Sequence, residues 1–273
     1  MRKNVLLQGL AGLAVFACAA LYIFVLTQVP WTPAFGAVAA TFVLIAVAAL
    51  WLLLRRHPGR PEASWWLPVG VIAGVGVCGA VPRVNSAYLT ATQQLPDAVT
   101  GLFSSIPEET AKLLAALVVI AAFAPVRRPV EAAVVGMAVG AGFTVGETLH
   151  NSAIAAALDL HSEYIDGART ILGLVVFGPF SHAVYTGLAA WGLGVFLCRT
   201  DQPLGWRLAR LAGWFVLAAT LHGAFNGSRE LRDIFGFAAM LAVSVLLWVL
   251  LIWLYRRSRA IGRQEPVASH TSR

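Results

Sequence analysis

Hydrophobic positions in this chain neither alternate nor gather on one helical face. They fill long runs, broken by short charged or Pro- and Gly-bearing stretches. Reading the chain at those breaks leaves eight apolar segments, at about 4–26, 34–54, 65–82, 105–124, 132–158, 170–198, 210–228 and 234–255. Each is near or beyond the roughly 20 residues a helix needs to cross ~30 Å of hydrocarbon. A helix satisfies its own backbone in lipid, where no water can do so. The pattern therefore predicts an all-α, polytopic integral membrane helix bundle of about eight transmembrane helices. Residues 1–255 form a single transmembrane helical domain, and 256–273 read as a basic cytoplasmic tail, polar and expected to be disordered. Residues 83–104 are too polar to span and are expected to lie along the outer interface as a connection.

Composition agrees. Of 273 residues, 59% are hydrophobic and 12% charged, with mean hydropathy +0.75, against roughly 25% charged in soluble domains. The net charge of +7 changes meaning once it is distributed along the segments. Fifteen cations (Arg2, Lys3, Arg55, Arg56, Arg60, Arg127, Arg128, Arg199, Arg207, Arg210, Arg256, Arg257, Arg259, Arg263 and Arg273) fall on one side, and four (Arg83, Arg169, Arg229 and Arg232) on the other. By the positive-inside rule both termini are cytoplasmic, and the basicity is explained by topology, with no nucleic-acid partner. The first segment exceeds the ~7–15 residues of a signal-peptide core, so it reads as an uncleaved span. Phe16 two residues before Cys18 makes a poor lipoprotein cleavage site. Cys18, Cys78 and Cys198 sit in spans at unrelated spacings and read as packing residues.

An ionisable side chain at the bilayer centre costs roughly +2.5 to +3.5 kcal/mol on insertion scales, so it calls for a function. Segments four to seven carry Glu108, Glu109, Lys112, Glu147, His150, His182 and His222, while the others carry essentially none. Counted from the nearest cytoplasmic arginine at ~1.5 Å per residue, Glu109, Glu147 and His182 coincide near 25–28 Å; His222 comes out one or two turns shallower. The shared plane lies in the outer half of the bilayer. Glu108 and Lys112 share a helix face, while Glu109 is rotated about 100° from Glu108. Glu147 with His150, His182 with Thr186, and His222 with Asn226 are likewise spaced along single faces.

Blander readings stand beside this one. Ser105-Ile106-Pro107-Glu108 has the form of a capping box that would start a helix there, and a glutamate of the pair with Lys112 could be a structural ion pair. His150, near the outer boundary, reads as a packing residue; His57, His161 and His270 fall in loops or the tail. Gly136, Gly140, Gly142 and Gly146 allow close helix packing before Glu147. Pro107 and Pro179 would open the backbone beside Glu108 and His182.

Two histidines and at least two carboxylates from separate helices suit a catalytic zinc, which takes three N or O protein ligands and a water. No H-E-x-x-H is present, so such a site would be assembled across helices. A metal-free site, with a glutamate activating water directly, stays open, as does the division of the glutamates between ligand and base. A second class of function, a proton-coupled secondary transporter using the same Glu/His cluster, fits the residue types; the chain lacks evident halves with paired broken helices.

Four motifs then occur in order: Glu108-Glu109-Thr110-Ala111-Lys112, Gly140-Ala141-Gly142-Phe143-Thr144-Val145-Gly146-Glu147, Ser181-His182-Ala183-Val184-Tyr185-Thr186-Gly187, and Leu221-His222-Gly223-Ala224-Phe225-Asn226. Together they resemble the PrsW family of intramembrane proteases, distant relatives of the CAAX prenyl endopeptidases. The resemblance implies a metal-dependent peptidase, multi-pass in a bacterial plasma membrane, cutting a membrane-anchored protein substrate such as an anti-sigma factor on its extracytoplasmic side. It implies catalytic roles for Glu108, Glu109, Glu147, His182 and His222, with Lys112, Asn226 and Arg169 in support. The preferred zinc set is Glu147, His182 and His222, joined or not by one of the paired glutamates. Thr148 stands where the family usually has Asn.

Overall fold

The computed structural model describes residues 5–158, 164–178, 180–231 and 233–264; His161, Pro179, Arg232 and His270 lie outside them. Nine helices follow in order, with no strand among the described residues: α1 (Val5–Thr27), α2 (Pro33–Leu54), α3 (Trp66–Thr92), α4 (Asp97–Ala122), α5 (Pro129–Leu158), α6 (Ile165–Phe177), α7 (Ser181–Cys198), α8 (Leu204–Glu230) and α9 (Asp233–Gln264). Seven of them are long and apolar enough to cross a membrane. The eighth expected span falls on α4, which has the length, 26 residues, and carries Glu108, Glu109 and Lys112.

Four expectations differ from the structure. The segment at 170–198 is two helices, because the chain turns at Phe180, whose φ of 45° is left-handed. Gly178 ends the preceding helix, its N–H donating to the Leu174 carbonyl at 2.9 Å. At ~1.5 Å per residue the 13-residue α6 reaches only about 20 Å and cannot span. The polar stretch 83–104 is not one long connection: α3 continues to Thr92 and α4 begins at Asp97, leaving a turn at 93–96, while its described side chains are mostly exposed or half-exposed. Helical hydrogen bonding persists there because polar side chains find partners, Tyr88 donating to the Thr100 carbonyl at 3.1 Å. Consequently no capping box forms; Pro107 lies inside α4, and the Ser105 hydroxyl donates to the Ala219 carbonyl of α8 at 2.8 Å. At the other end, α9 runs through Gln264, so the first part of the expected tail is helical and 265–273 lie outside the described residues.

The buried centre is α5, clasped between α3 and α7. Lipid offers little hydrophobic drive for helix association, so close backbone approach through small residues carries it. A methyl group at Gly140 would overlap the His182 carbonyl, and one at Gly142 the Val71 carbonyl. Gly223 does the same for α8 against the Leu102 carbonyl of α4. These approaches bring α4, α5, α7 and α8 together around one level.

Among the described residues, the loops and helix ends bearing the cations of the larger group gather at one end of the bundle. There Gln8 donates to the Ala122 carbonyl at 2.9 Å, Arg127 pairs with Glu62 at 3.4 Å, and Ser258 meets His57 at 3.1 Å. His57 is fully buried and accepts from the Gly59 N–H at 3.1 Å, so it pins the α2–α3 loop to the end of α9. Burial, with a smaller contribution from Arg259, pulls its imidazole down to about 4.

Candidate functional site

His182 lies in the first turn of α7 and His222 eighteen residues into α8, counted from Leu204. The shallow depth expected for His222 came from starting at Arg210; measured from the true start of α8 it reaches the level of the other three residues. Glu109 reaches His222, His222 lies beside His182, and His182 reaches Glu147. Five of the expected residues, with Lys112 and Asn226, thus form one connected cluster.

Lys112 Nζ donates to Glu109 Oε1 at 2.5 Å and to His182 Nδ1 at 2.7 Å, and stands 3.9 Å from Glu108 Oε2. Its ammonium also lies over the Phe143 ring, 4.3 Å from the centroid. The second His182 nitrogen, Nε2, donates to Glu147 Oε2 at 2.8 Å. His222 Nδ1 donates to Glu109 Oε1 at 2.8 Å, and its Nε2 accepts from Asn226 Nδ2 at 3.2 Å. Asn226 also donates to Ser104 Oγ at 3.1 Å. These partners define both tautomers: Nε2–H on His182 and Nδ1–H on His222.

The adjacent glutamates do point differently. Glu109 turns to Lys112 and α8, while Glu108 accepts from Asn85 Nδ2 of α3 at 2.7 Å and directs Oε2 toward His222 Nε2, 3.8 Å away. Glu108 Oε2 and Glu109 Oε2 are buried with no hydrogen-bond partner. Charge without a partner in such a site is expensive, and a carboxylate oxygen left open beside an imidazole lone pair is what a cation would complete. Glu108, His182 and His222 each offer one ligand atom, all within 4.8 Å of one another. That donor set, one oxygen and two nitrogens, suits zinc. The preferred set named Glu147 in place of Glu108; here Glu147 holds His182 Nε2.

Aromatic rings wall the imidazoles. Tyr185 stacks on His222 with centroids 4.8 Å apart and planes at 10°, and Phe143 meets His182 edge-on at 4.7 Å. Lys112 and Glu109 are fully buried, whereas the Glu147 side chain keeps 32% of its surface. Glu147, Asn226 and Arg229 line both a narrow cleft at the histidines, about 20 Å³, and a wider polar cavity of about 340 Å³ reaching Asn85, Asp97 and Thr100. The cleft has room for a single water-sized group, and the two cavities share that three-residue wall.

One expected site residue, Arg169, stands elsewhere, and His150 reads from the sequence as a packing residue. The Arg169 guanidinium pairs with Asp166 at 3.2 Å on the exposed side of α6, away from the cluster. His150 is half-buried and outside these hydrogen bonds, with Nδ1 unpartnered. Sequence reasoning missed Asn85, Ser104, Tyr185 and Arg229. Tyr185 was within reach, being three residues from His182, and so was Arg229, three from Asn226; Asn85 and Ser104 were hidden by reading 83–104 as a connection.

No curated protein and no solved structure matches the chain. The PrsW family intramembrane metalloproteases match it over residues 25–254, a stretch that holds all four motifs and every residue of the cluster. With seven apolar spans around a buried Glu/His centre, the chain is a multi-pass membrane protein and belongs to the PrsW family of intramembrane metalloproteases.

Proposed function

We propose that this protein hydrolyses a peptide bond of a membrane-anchored protein on the extracytoplasmic side of the cell membrane, with Glu108, His182 and His222 holding a divalent metal, Zn2+ by donor type. The observation that carries this reading is Glu108 Oε2, buried without a hydrogen bond 3.8 Å from His222 Nε2, beside a cleft at the histidines that shares a wall with a polar cavity. The basic loops at the opposite end support a cytoplasmic location for that end and for both termini.

Zinc bound in such a site supplies Lewis-acid polarisation of a carbonyl and a bound water acidified to near neutrality. The chain supplies the rest. Glu109 accepts the Nδ1 proton of His222, which keeps the Nε2 lone pair turned toward Glu108. Lys112 neutralises Glu109; its ammonium would leave His182 Nδ1 for that nitrogen to hold the metal, while His182 Nε2–H stays on Glu147. Glu147, the carboxylate with access to the cleft, takes the proton of the attacking water and returns it to the leaving amine. Asn226 Nδ2, at the junction of the two cavities, would regain the N–H now on His222 Nε2 once that nitrogen held the metal, and that N–H donates to the developing oxyanion. Phe143 and Tyr185 keep bulk water from the imidazoles.

The test compares new N-termini of single-pass membrane proteins in cells making the wild type or His222→Ala. Substrate fragments confined to the wild type are expected, and chelation should remove them. Identical fragment sets, with proton-coupled solute flux in liposomes, would establish the carrier instead.

A further inference from the structure

We propose that Arg229 is a substrate-specificity residue, pairing its guanidinium with a carboxylate of the substrate beside the scissile bond; this rests on the peptidase reading above. Arg229 is three residues from Asn226 and seven from His222, so the three follow one face of α8. Its side chain lines both the narrow cleft at the histidines and the wide polar cavity. Among the described residues it has no ion pair or hydrogen bond, whereas Arg169 on the same side of the membrane is paired with Asp166.

An arginine on that side runs against the charge asymmetry of the chain, and one left unpaired at the mouth of a cleft is placed for a partner from outside. The guanidinium fork matches a carboxylate in two parallel hydrogen bonds. Asp97 and Glu230 line only the wider cavity, so a carboxylate that passes them meets Arg229 at the wall where Glu147 and Asn226 await the carbonyl. Neither acid pairs with Arg229, but their negative charge in the same cavity repels an incoming anion, so removing that charge strengthens the grip of Arg229 on it.

The experiment uses the full chain in nanodiscs and fluorescent probe peptides. Each peptide has one apolar helix and an extended polar flank in which single positions carry Glu, Gln or Lys. Binding and cleavage are both read. At one or two flank positions the wild type should bind the Glu peptide on the order of fivefold more tightly than the Gln peptide, as a partly exposed ion pair allows. Arg229→Gln should abolish the preference, Arg229→Lys should retain part of it, Arg229→Glu should transfer it to the Lys peptide, and Asp97→Asn with Glu230→Gln should enlarge it. Equal binding of the Glu and Gln peptides at every position, or a preference unchanged in Arg229→Glu, overturns the proposal. A charge preference without cleavage would defeat the peptidase reading and keep the anion site; cleavage without any preference would do the reverse.

Discussion

Glu109 joins the two halves of the cluster: one carboxylate oxygen accepts from both Lys112 and His222. Removing Lys112's charge strands a fully buried anion, a change that typically destabilises by about 3–5 kcal/mol. Lys112→Met should therefore lower the melting temperature of the purified protein strongly, and Lys112→Arg much less; equal melting of both variants and the wild type would contradict the ion-pair geometry. Glu108→Ala, Glu147→Ala, His182→Ala and His222→Ala should each insert normally and lose at least about 100-fold in cleavage, read with a reconstituted substrate. Which residues enter the site was legible from sequence, because a charge or imidazole inside an apolar run has few other uses. Their pairing was not. The crossing of α3 over α4 turns Glu108 toward Asn85, and the start of α7 aims His182 Nε2 at Glu147, so Glu108 stands in the three-residue donor group. Arg169 was assigned through the family resemblance, and its i,i+3 pairing with Asp166 follows from α6 beginning at Ile165, ahead of the expected 170–198 segment.

Helix contacts set the precision of the site. Because a methyl at Gly140 meets the His182 carbonyl, Gly140→Ala should push α7 away and cost about 1–3 kcal/mol by overpacking, with loss of cleavage. The control is Gly173→Ala in α6, where nothing lies within 4 Å, and it should melt like the wild type. At the basic end, His57 is neutral in its buried place, with its imidazole lowered to about 4, below the ordinary ~6.5. The unfolded chain then binds the extra proton between those values, so this contribution to stability is present above about pH 6.5 and is lost as pH falls toward 4. The melting temperature should drop across that window, and His57→Gln should flatten the slope; an equal slope in the variant would remove His57 from the account. Spans were readable from length and apolarity, but the break at Gly178–Phe180 was not, since apolar residues continue on both sides of it.

At the scale of the molecule, the charge asymmetry read from the sequence matches an arrangement in which the basic loops share one end and the polar cavity opens toward the other. With the native cysteines replaced, a cysteine at Gln94 in the α3–α4 turn should react from outside intact cells with an impermeant thiol reagent. One at Gly205, at the start of α8, should react only after permeabilisation; the opposite pattern would invert the topology. The central claim is that carboxylate and imidazole groups from three separate helices, α4, α7 and α8, complete one metal centre. Elemental analysis of purified wild type beside Glu108→Ala, His182→Ala and His222→Ala tests it most directly. About one divalent ion per chain is expected in the wild type and a large loss in each variant; a wild type free of metal after purification in zinc-containing buffer, or variants that keep a full complement, would rule the shared centre out.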